Sequence, residues 1–199
     1  DPELTLRSAL QFEQMGISLV IGPIFHKNLL FLDKVKNITF LSLTNKTLDL
    51  HKNIISSGIN SSSQLNTIKK FLETSEIKKT IFLIPNLNYD LEIKKGIKES
   101  KIKFFKQYNY DIDPTKLTKQ IEKITNYGIR KQNLLDEISR VENSDDPNKE
   151  KIIENLEKKY TLGNVKFDSV IITDFDESLK SVITSLLYTD ILPKNKYII

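Results

Sequence analysis

Six short apolar runs, separated by polar or amphipathic stretches, constrain this chain more than any other feature of it. They are Ile17 to Ile21, Ile38 to Leu43, Thr80 to Ile84, Ile102 to Tyr108, Phe167 to Thr173 and Lys196 to Ile199. A strand with one wet face alternates apolar and polar residues, whereas a strand covered on both faces does not. These runs are mostly continuous, so they predict the buried strands of a parallel sheet. Between them lie helical stripes. Leu179, Val182, Ile183, Leu186 and Leu187 fall on one helix face, as do Leu117, Ile121 and Ile124, and Leu65, Ile68 and Leu72. Asp113-Pro114 supplies a helix cap followed by proline at the first helical position, and Ser61 to Ser63 offer further caps. The alternation predicts an α/β class of open, mostly parallel sheets with helices on both faces.

Two stretches break the rhythm. Leu43 to Asn60 places Thr44-Asn45-Lys46-Thr47 and Asn53 around Ile54-Ile55, which predicts a loop, a brief strand and a crossing segment. Farther on, about 40 residues separate the helix at Leu117 from the strand at Phe167, well beyond an ordinary connection. Leu134, Ile138 and Val141 make one stripe there, and Ile152, Leu156 and Tyr160 a second, joined by the polar turn Asn143 to Pro147. The expectation is an inserted helical hairpin at about 128–160.

Composition narrows the function classes. The formal charge of +4 arises from 30 Lys+Arg against 26 Asp+Glu, well interspersed, as in Glu92-Ile93-Lys94-Lys95. Nucleic-acid binding calls for a clustered basic stripe, so no nucleic-acid partner is expected. Cysteine is absent, which excludes disulfides and thiolate metal sites. No apolar run approaches the roughly 18 residues of a membrane span. His26 and His51 are the two histidines. His51 lies in a polar loop and reads as solvated, while His26 follows a strand and a Gly-Pro turn, where α/β proteins present ligand-binding groups.

The sharpest catalytic candidate is Val170-Ile171-Ile172-Thr173-Asp174-Phe175-Asp176, an apolar strand ending in Asp-x-Asp. It resembles the first motif of haloacid-dehalogenase phosphatases, where one aspartate attacks phosphorus, the second moves a proton and Mg²⁺ neutralises charge. That chemistry needs a lysine and further carboxylates on later strands, and little sequence follows Asp176. The competing reading is a strand-to-helix turn in which Asp174 or Asp176 caps the helix through Leu179. Phosphate-binding glycine loops, nucleophile elbows and His-Glu-x-x-His are all missing, so no cofactor and no metal site is expected.

Gly16-Ile17-Ser18-Leu19-Val20-Ile21-Gly22-Pro23-Ile24 resembles the helix-strand-Gly-Pro start of type I periplasmic binding proteins. Ile38 to Asn45 is similar to that fold's second cleft-facing loop. Ile81-Phe82-Leu83-Ile84-Pro85 with Asn88-Tyr89-Asp90 is similar to the first strand and helix of its second lobe. Among such proteins the chain looks most like the penicillin-binding protein activator lipoproteins of alphaproteobacterial type. That likeness rests on Gly22-Pro23-Ile24-Phe25, on the inserted Asn126 to Leu135, and on Tyr160-Thr161-Leu162-Gly163 running into Phe167 to Asp174. It is similar also to the substrate-binding proteins of branched-chain amino acid ABC transporters. Those receptors carry a small hydroxyl residue near His26, Thr near Lys46 and Gly near Asp90, and the departures here argue against a free amino acid as ligand.

The resemblance implies a two-lobed protein, with a partial lobe one at 1–59 and lobe two at 60–199. It also implies that family members extend beyond both ends, so the chain is expected to be incomplete. Its implied role is non-catalytic. It would be a periplasmic domain, tethered to the outer membrane by a lipid anchor outside this chain, that regulates peptidoglycan synthesis by contacting a penicillin-binding protein. The alternative is a solute-binding receptor of an ABC transporter for a small polar metabolite. An Mg²⁺-dependent phosphatase or transferase centred on Asp174 and Asp176 is the third. In either binding reading the inter-lobe cleft would be lined by Phe25, His26, Thr44, Asn45 and Lys46 on one side. Asn88, Tyr89, Asp174 and Phe175 would line the other, each position following the carboxyl end of an expected strand.

Overall fold

A computed structural model describes residues 1–47, 49–87 and 90–199, the side chain of Asp90 excepted. Among the described residues seven strands form two separate sheets, and every pairing in both is parallel. The chain divides into two compact units, one made of Asp1–Phe71 and Tyr89–Ile102, the other of Leu72–Asn88 and Lys103–Ile199.

In the first unit β1 (Leu19–Ile21), β2 (Thr39–Ser42) and β3 (Ile54–Ser56) lie side by side in chain order. The register sets Val20 beside Phe40 and Phe40 beside Ile54, so these three share one face of the pleat. Helix α1 (Pro2–Gln14) and two short 3-10 turns, His26–Leu29 and Leu32–Lys34, belong to the same unit. Ala9, Leu29, Leu32, Val35, Ile38, Phe40 and Ile54 make its core. Asp1 starts α1 by accepting from the amides of Glu3 and Leu4, with Pro2 at the first helical position. Asn53, read as part of a polar loop, pins the 3-10 region by donating its amide to the carbonyls of Leu32 (2.9 Å) and Val35 (2.8 Å).

The opposite face of this sheet corrects one expectation. Leu19, Ile21 and Ile55 point to the other side of the pleat and are 58%, 73% and 54% exposed. The run Ile17 to Ile21 is therefore covered on one face only. Its continuous hydrophobicity promised cover on both.

The second unit carries β4 (Thr80–Pro85), β5 (Lys106–Tyr110), β6 (Ser169–Ile172) and β7 (Tyr197–Ile198), in the order β5-β4-β6-β7. Central β4 is buried at every position, as its apolar run requires. Ile81, Leu83, Tyr110, Leu117, Ile121, Val170, Val182 and Leu186 belong to the core around it. Here α4 (Pro114–Thr125) and α7 (Asp176–Tyr188) supply the apolar stripes expected of them, except that Leu187 of the α7 stripe is exposed. Asp113 caps α4 by accepting from the amides of Thr115 (3.0 Å) and Lys116 (3.1 Å). The strand expected over Ile102 to Tyr108 instead begins at Lys106. As an edge strand, β5 has one neighbour and tolerates polar side chains, whereas Phe104 leaves the strand to pack its ring on Phe82, with centroids 5.7 Å apart.

The insertion is the expected hairpin, α5 (Tyr127–Glu142) followed by α6 (Lys149–Glu157). Leu134, Val141 and Leu156 form their own small core. Tyr160, placed on the second stripe, lies beyond the end of α6 and is exposed. The remaining helices are α2 (Ser61–Thr74) and α3 (Asp90–Ser100). At the start of α2 it is Asn60, not the serines that follow, whose side chain accepts from a helix amide, that of Ser63 at 2.9 Å. Among the described residues no helix is long and apolar enough to cross a membrane.

Candidate functional site

A parallel strand ends with its loops all on one side, so side chains following β1, β2 and β3 gather at one edge of the first unit. Phe25 follows β1 and is exposed, and His26, half-buried, opens the 3-10 turn after it. Two bonds hold the preceding Gly22-Pro23 segment to β2. The Gly22 amide donates to Leu41 O (2.8 Å), and Ser42 Oγ donates to Pro23 O (2.6 Å). Thr44, Asn45 and Lys46 follow β2. Thr44 is buried, its Oγ1 accepting from the Lys46 amide (3.2 Å), while Asn45 and Lys46 are exposed.

The loop after β3 locks onto the same place. Ser56 Oγ donates to Thr44 O (2.6 Å), and the Ser57 amide to Ser42 O (2.8 Å). A Cβ at Gly58 would lie 2.4 Å from Thr44 O, so only glycine permits this approach. Helix α3 clamps the next residue. Glu92 accepts from the Thr47 amide (2.8 Å) and hydroxyl (2.9 Å), and Lys95 Nζ donates to Thr47 O (2.6 Å). Asn45 and Lys46 thus protrude from a loop whose backbone is fixed on both sides. The sequence reads Glu92 and Lys95 as solvated surface charge, because a Glu-Lys pattern on an amphipathic helix ordinarily is, and their bonds to Thr47 correct it.

The second unit gathers its own group at the same end of its sheet. Asp174, after β6, accepts from the hydroxyl of Tyr110 at the end of β5, from Ser178 Oγ (2.5 Å) and from the Phe175 amide (2.9 Å). One carboxylate therefore joins the exits of two strands to the first turn of α7. The capping expectation needs correction in detail. Phe175 is the N-cap residue and has no side-chain cap, and Asp174 reaches Ser178 through its hydroxyl instead of a backbone amide. Asp176 and Glu177 sit in the first turn, where acidic charge suits the helix dipole. Phe175 is exposed. Tyr110 went unnoticed in the sequence, although the i, i+4 spacing of Asp174 and Ser178 was available as a signal.

Phe25, His26, Thr44, Asn45 and Lys46 are thus brought to one edge of the first unit, and Asp174 and Phe175 to the corresponding edge of the second. Asn88 and Tyr89 lie outside the described residues. Among the described residues no group of three or more His, Asp or Glu side chains could hold a metal ion.

Against solved structures the alignment is nearly complete. Full-length LpoA from Haemophilus influenzae superimposes on 98% of this chain with a TM-score of 0.56 and 12% identity. The LpoA C-domain from the same organism, described as a regulator of PBP1A, does so on 98% with a TM-score of 0.55 and 13% identity. The chain shares the fold of LpoA. It spans 30% of the full-length LpoA chain and 50% of the C-domain chain. A periplasmic binding protein from Burkholderia mallei aligns over 100% of this chain and 46% of its own, at 8% identity and a TM-score of 0.45. The α/β architecture of parallel sheets with accompanying helices expected from the sequence is the one observed. No family model and no curated protein matches the sequence.

Proposed function

We propose that this chain is a non-catalytic binding domain that regulates peptidoglycan synthesis in the periplasm by contacting a penicillin-binding protein. The observation that carries this reading is the fold likeness to LpoA over 98% of the chain. The geometry supports it in a second way. Asn45 and Lys46 stand exposed on a backbone braced by Ser56, Glu92 and Lys95, as suits a preorganised contact surface. Asp174, by contrast, has its carboxylate engaged by Tyr110, Ser178 and Phe175, which suits a positioning role better than nucleophilic attack. In this reading the domain is held at the outer membrane by a lipid anchor outside the chain. The proposed contact residues are Phe25, His26, Thr44, Asn45, Lys46, Asn88, Tyr89, Asp174 and Phe175, in lobes divided near residue 59.

Binding to a purified, membrane-solubilised peptidoglycan synthase from the same organism tests this by surface plasmon resonance. Saturable binding is expected, weakened about tenfold or more by Asn45→Ala combined with Lys46→Glu. A folded chain with no affinity for any such synthase would remove the reading. The second reading, a small polar metabolite bound where the strand ends gather, is favoured by the convergence of the three β-exits in the first unit. It would show as thermal stabilisation by amino acids or short peptides.

A further inference from the structure

At the opposite end of the second unit's sheet, where the chain enters β6 and β7, lies a cavity of about 390 Å³. Its walls come from the segment after α6 and from the segment between α7 and β7, with Arg130 of α5 among the lining residues. Ligands of open parallel sheets sit at the carboxyl ends of strands, so this cavity is distinct from the site described above. Its charge is lopsided. Arg130, Lys158, Lys159, Lys194 and Lys196 line it against Asp190 as the one carboxylate. That surplus of four positive charges equals the formal net charge of the whole chain.

Beneath the exposed Lys158, Lys159 and Lys194 and the half-buried Lys196 the cavity has a floor built on a buried arginine. The Arg130 side chain is 8% exposed and locks three segments together. Nε donates to Gly163 O (3.2 Å), Nη1 to Thr189 O (3.0 Å) and Nη2 to Thr161 Oγ1 (2.6 Å), and Asp190 lies 3.6 Å from Nη2. Thr161 in turn donates to Asp190 Oδ2 at 2.6 Å. Gly163 holds φ at +108°, a conformation strained for any residue with a Cβ. Lys158 is paired with Glu154 at 2.6 Å, but among the described residues no carboxylate pairs with Lys159, Lys194 or Lys196.

We infer that this cavity binds a small soluble molecule through a phosphate group carrying two or more negative charges. An arginine fork is what selects a planar carboxylate, and here the fork is already turned toward Gly163, Thr189 and Thr161. What remains for a ligand is a set of ammonium point charges that can approach a compact tetrahedral dianion from several directions, with the amides of Asn164 and Asn195 beside them. Leu162, Val165, Ile191 and Leu192 supply apolar wall for an organic portion.

Isothermal titration of the full chain at about 0.15 M salt, where diffuse surface attraction is screened, tests this with pyrophosphate, glucose 6-phosphate and citrate. Pyrophosphate or the sugar phosphate binds saturably, and Lys194→Gln with Lys196→Gln weakens it about tenfold, the scale of losing charge-assisted hydrogen bonds. The control pair Lys70→Gln with Lys98→Gln leaves affinity unchanged. Tighter binding of pyrophosphate points to an inorganic source and tighter binding of the ester to an organic one; either result supports the site. Three outcomes overturn it: no saturable binding of either phosphate, equal weakening in the control pair, or citrate binding as tightly as both phosphates.

Discussion

At the scale of single residues, Arg130 ties three segments of the second unit together, and the sequence concealed it. A cation on an amphipathic helix is ordinarily a solvated one, so Asn-Tyr-Gly-Ile-Arg gives no sign that residue 130 turns inward. Burial lowers its pKa against the opposing pull of Asp190, yet a guanidinium stays protonated throughout the working pH range. Removing its charge would leave the carbonyls of Gly163 and Thr189 without their donor and Asp190, still bonded by Thr161, without its cation. Arg130→Met is therefore expected to cost about 3 kcal/mol in urea denaturation. Arg130→Lys should recover little of that, since one ammonium cannot span three acceptors held by a planar fork. Full stability in Arg130→Lys would show that charge alone, and not the fork, holds these segments. Asp174 is the opposite case. Its place at a strand exit was legible, but its partner Tyr110 comes from β5, and nothing in the sequence says which strand neighbours which.

At the scale of elements, legibility followed burial. The run Thr80 to Ile84 became β4 because a central strand with a sheet neighbour on each side and both faces covered admits only apolar residues. Asp113-Pro114 became a cap and first helical residue because that signal is local. The edge strand β5 was misplaced because apolar Ile102 and Phe104 mark packing at its approach, while the paired residues Lys106 to Asn109 carry no strong pattern. The hairpin of α5 and α6 was found by its stripes, yet its core of Leu134, Val141 and Leu156 is a satellite of three buried side chains. So small a cluster should open more readily than the sheet. Amides of residues 149–157 are expected to exchange with deuterium well before those of 81–84. Leu156→Ala, costing roughly 2–3 kcal/mol locally, should speed exchange in the hairpin and leave β4 unchanged. Equal acceleration in β4 would mean that hairpin and sheet unfold as one body.

At the scale of the whole molecule, the two sheets differ in a way that no individual run disclosed. Both are parallel throughout, and parallel sheets ordinarily have both faces covered. The second unit meets that condition at β4, buried at every position. In the first unit one face lies toward its core, while Leu19, Ile21 and Ile55 on the other keep more than half of their surface in water. Burying each of these side chains would contribute about 1–2 kcal/mol, and together they form a contiguous strip across β1, β2 and β3, since Ile21 pairs with Leu41 and Leu41 with Ile55. The chain in isolation should therefore associate as its concentration rises, with the strip as the sticky surface. Sedimentation velocity at about 10 and about 200 µM is expected to show larger species at the higher concentration. Ile21→Lys with Ile55→Lys should restore the monomer while changing unfolding stability by no more than about 0.5 kcal/mol, as substitutions at solvated positions do. A wild-type chain that stays monomeric across this range would show that the strip is tolerated bare. A double variant that loses several kcal/mol would show instead that these side chains are buried in solution, and that the first unit's sheet has a covered second face after all.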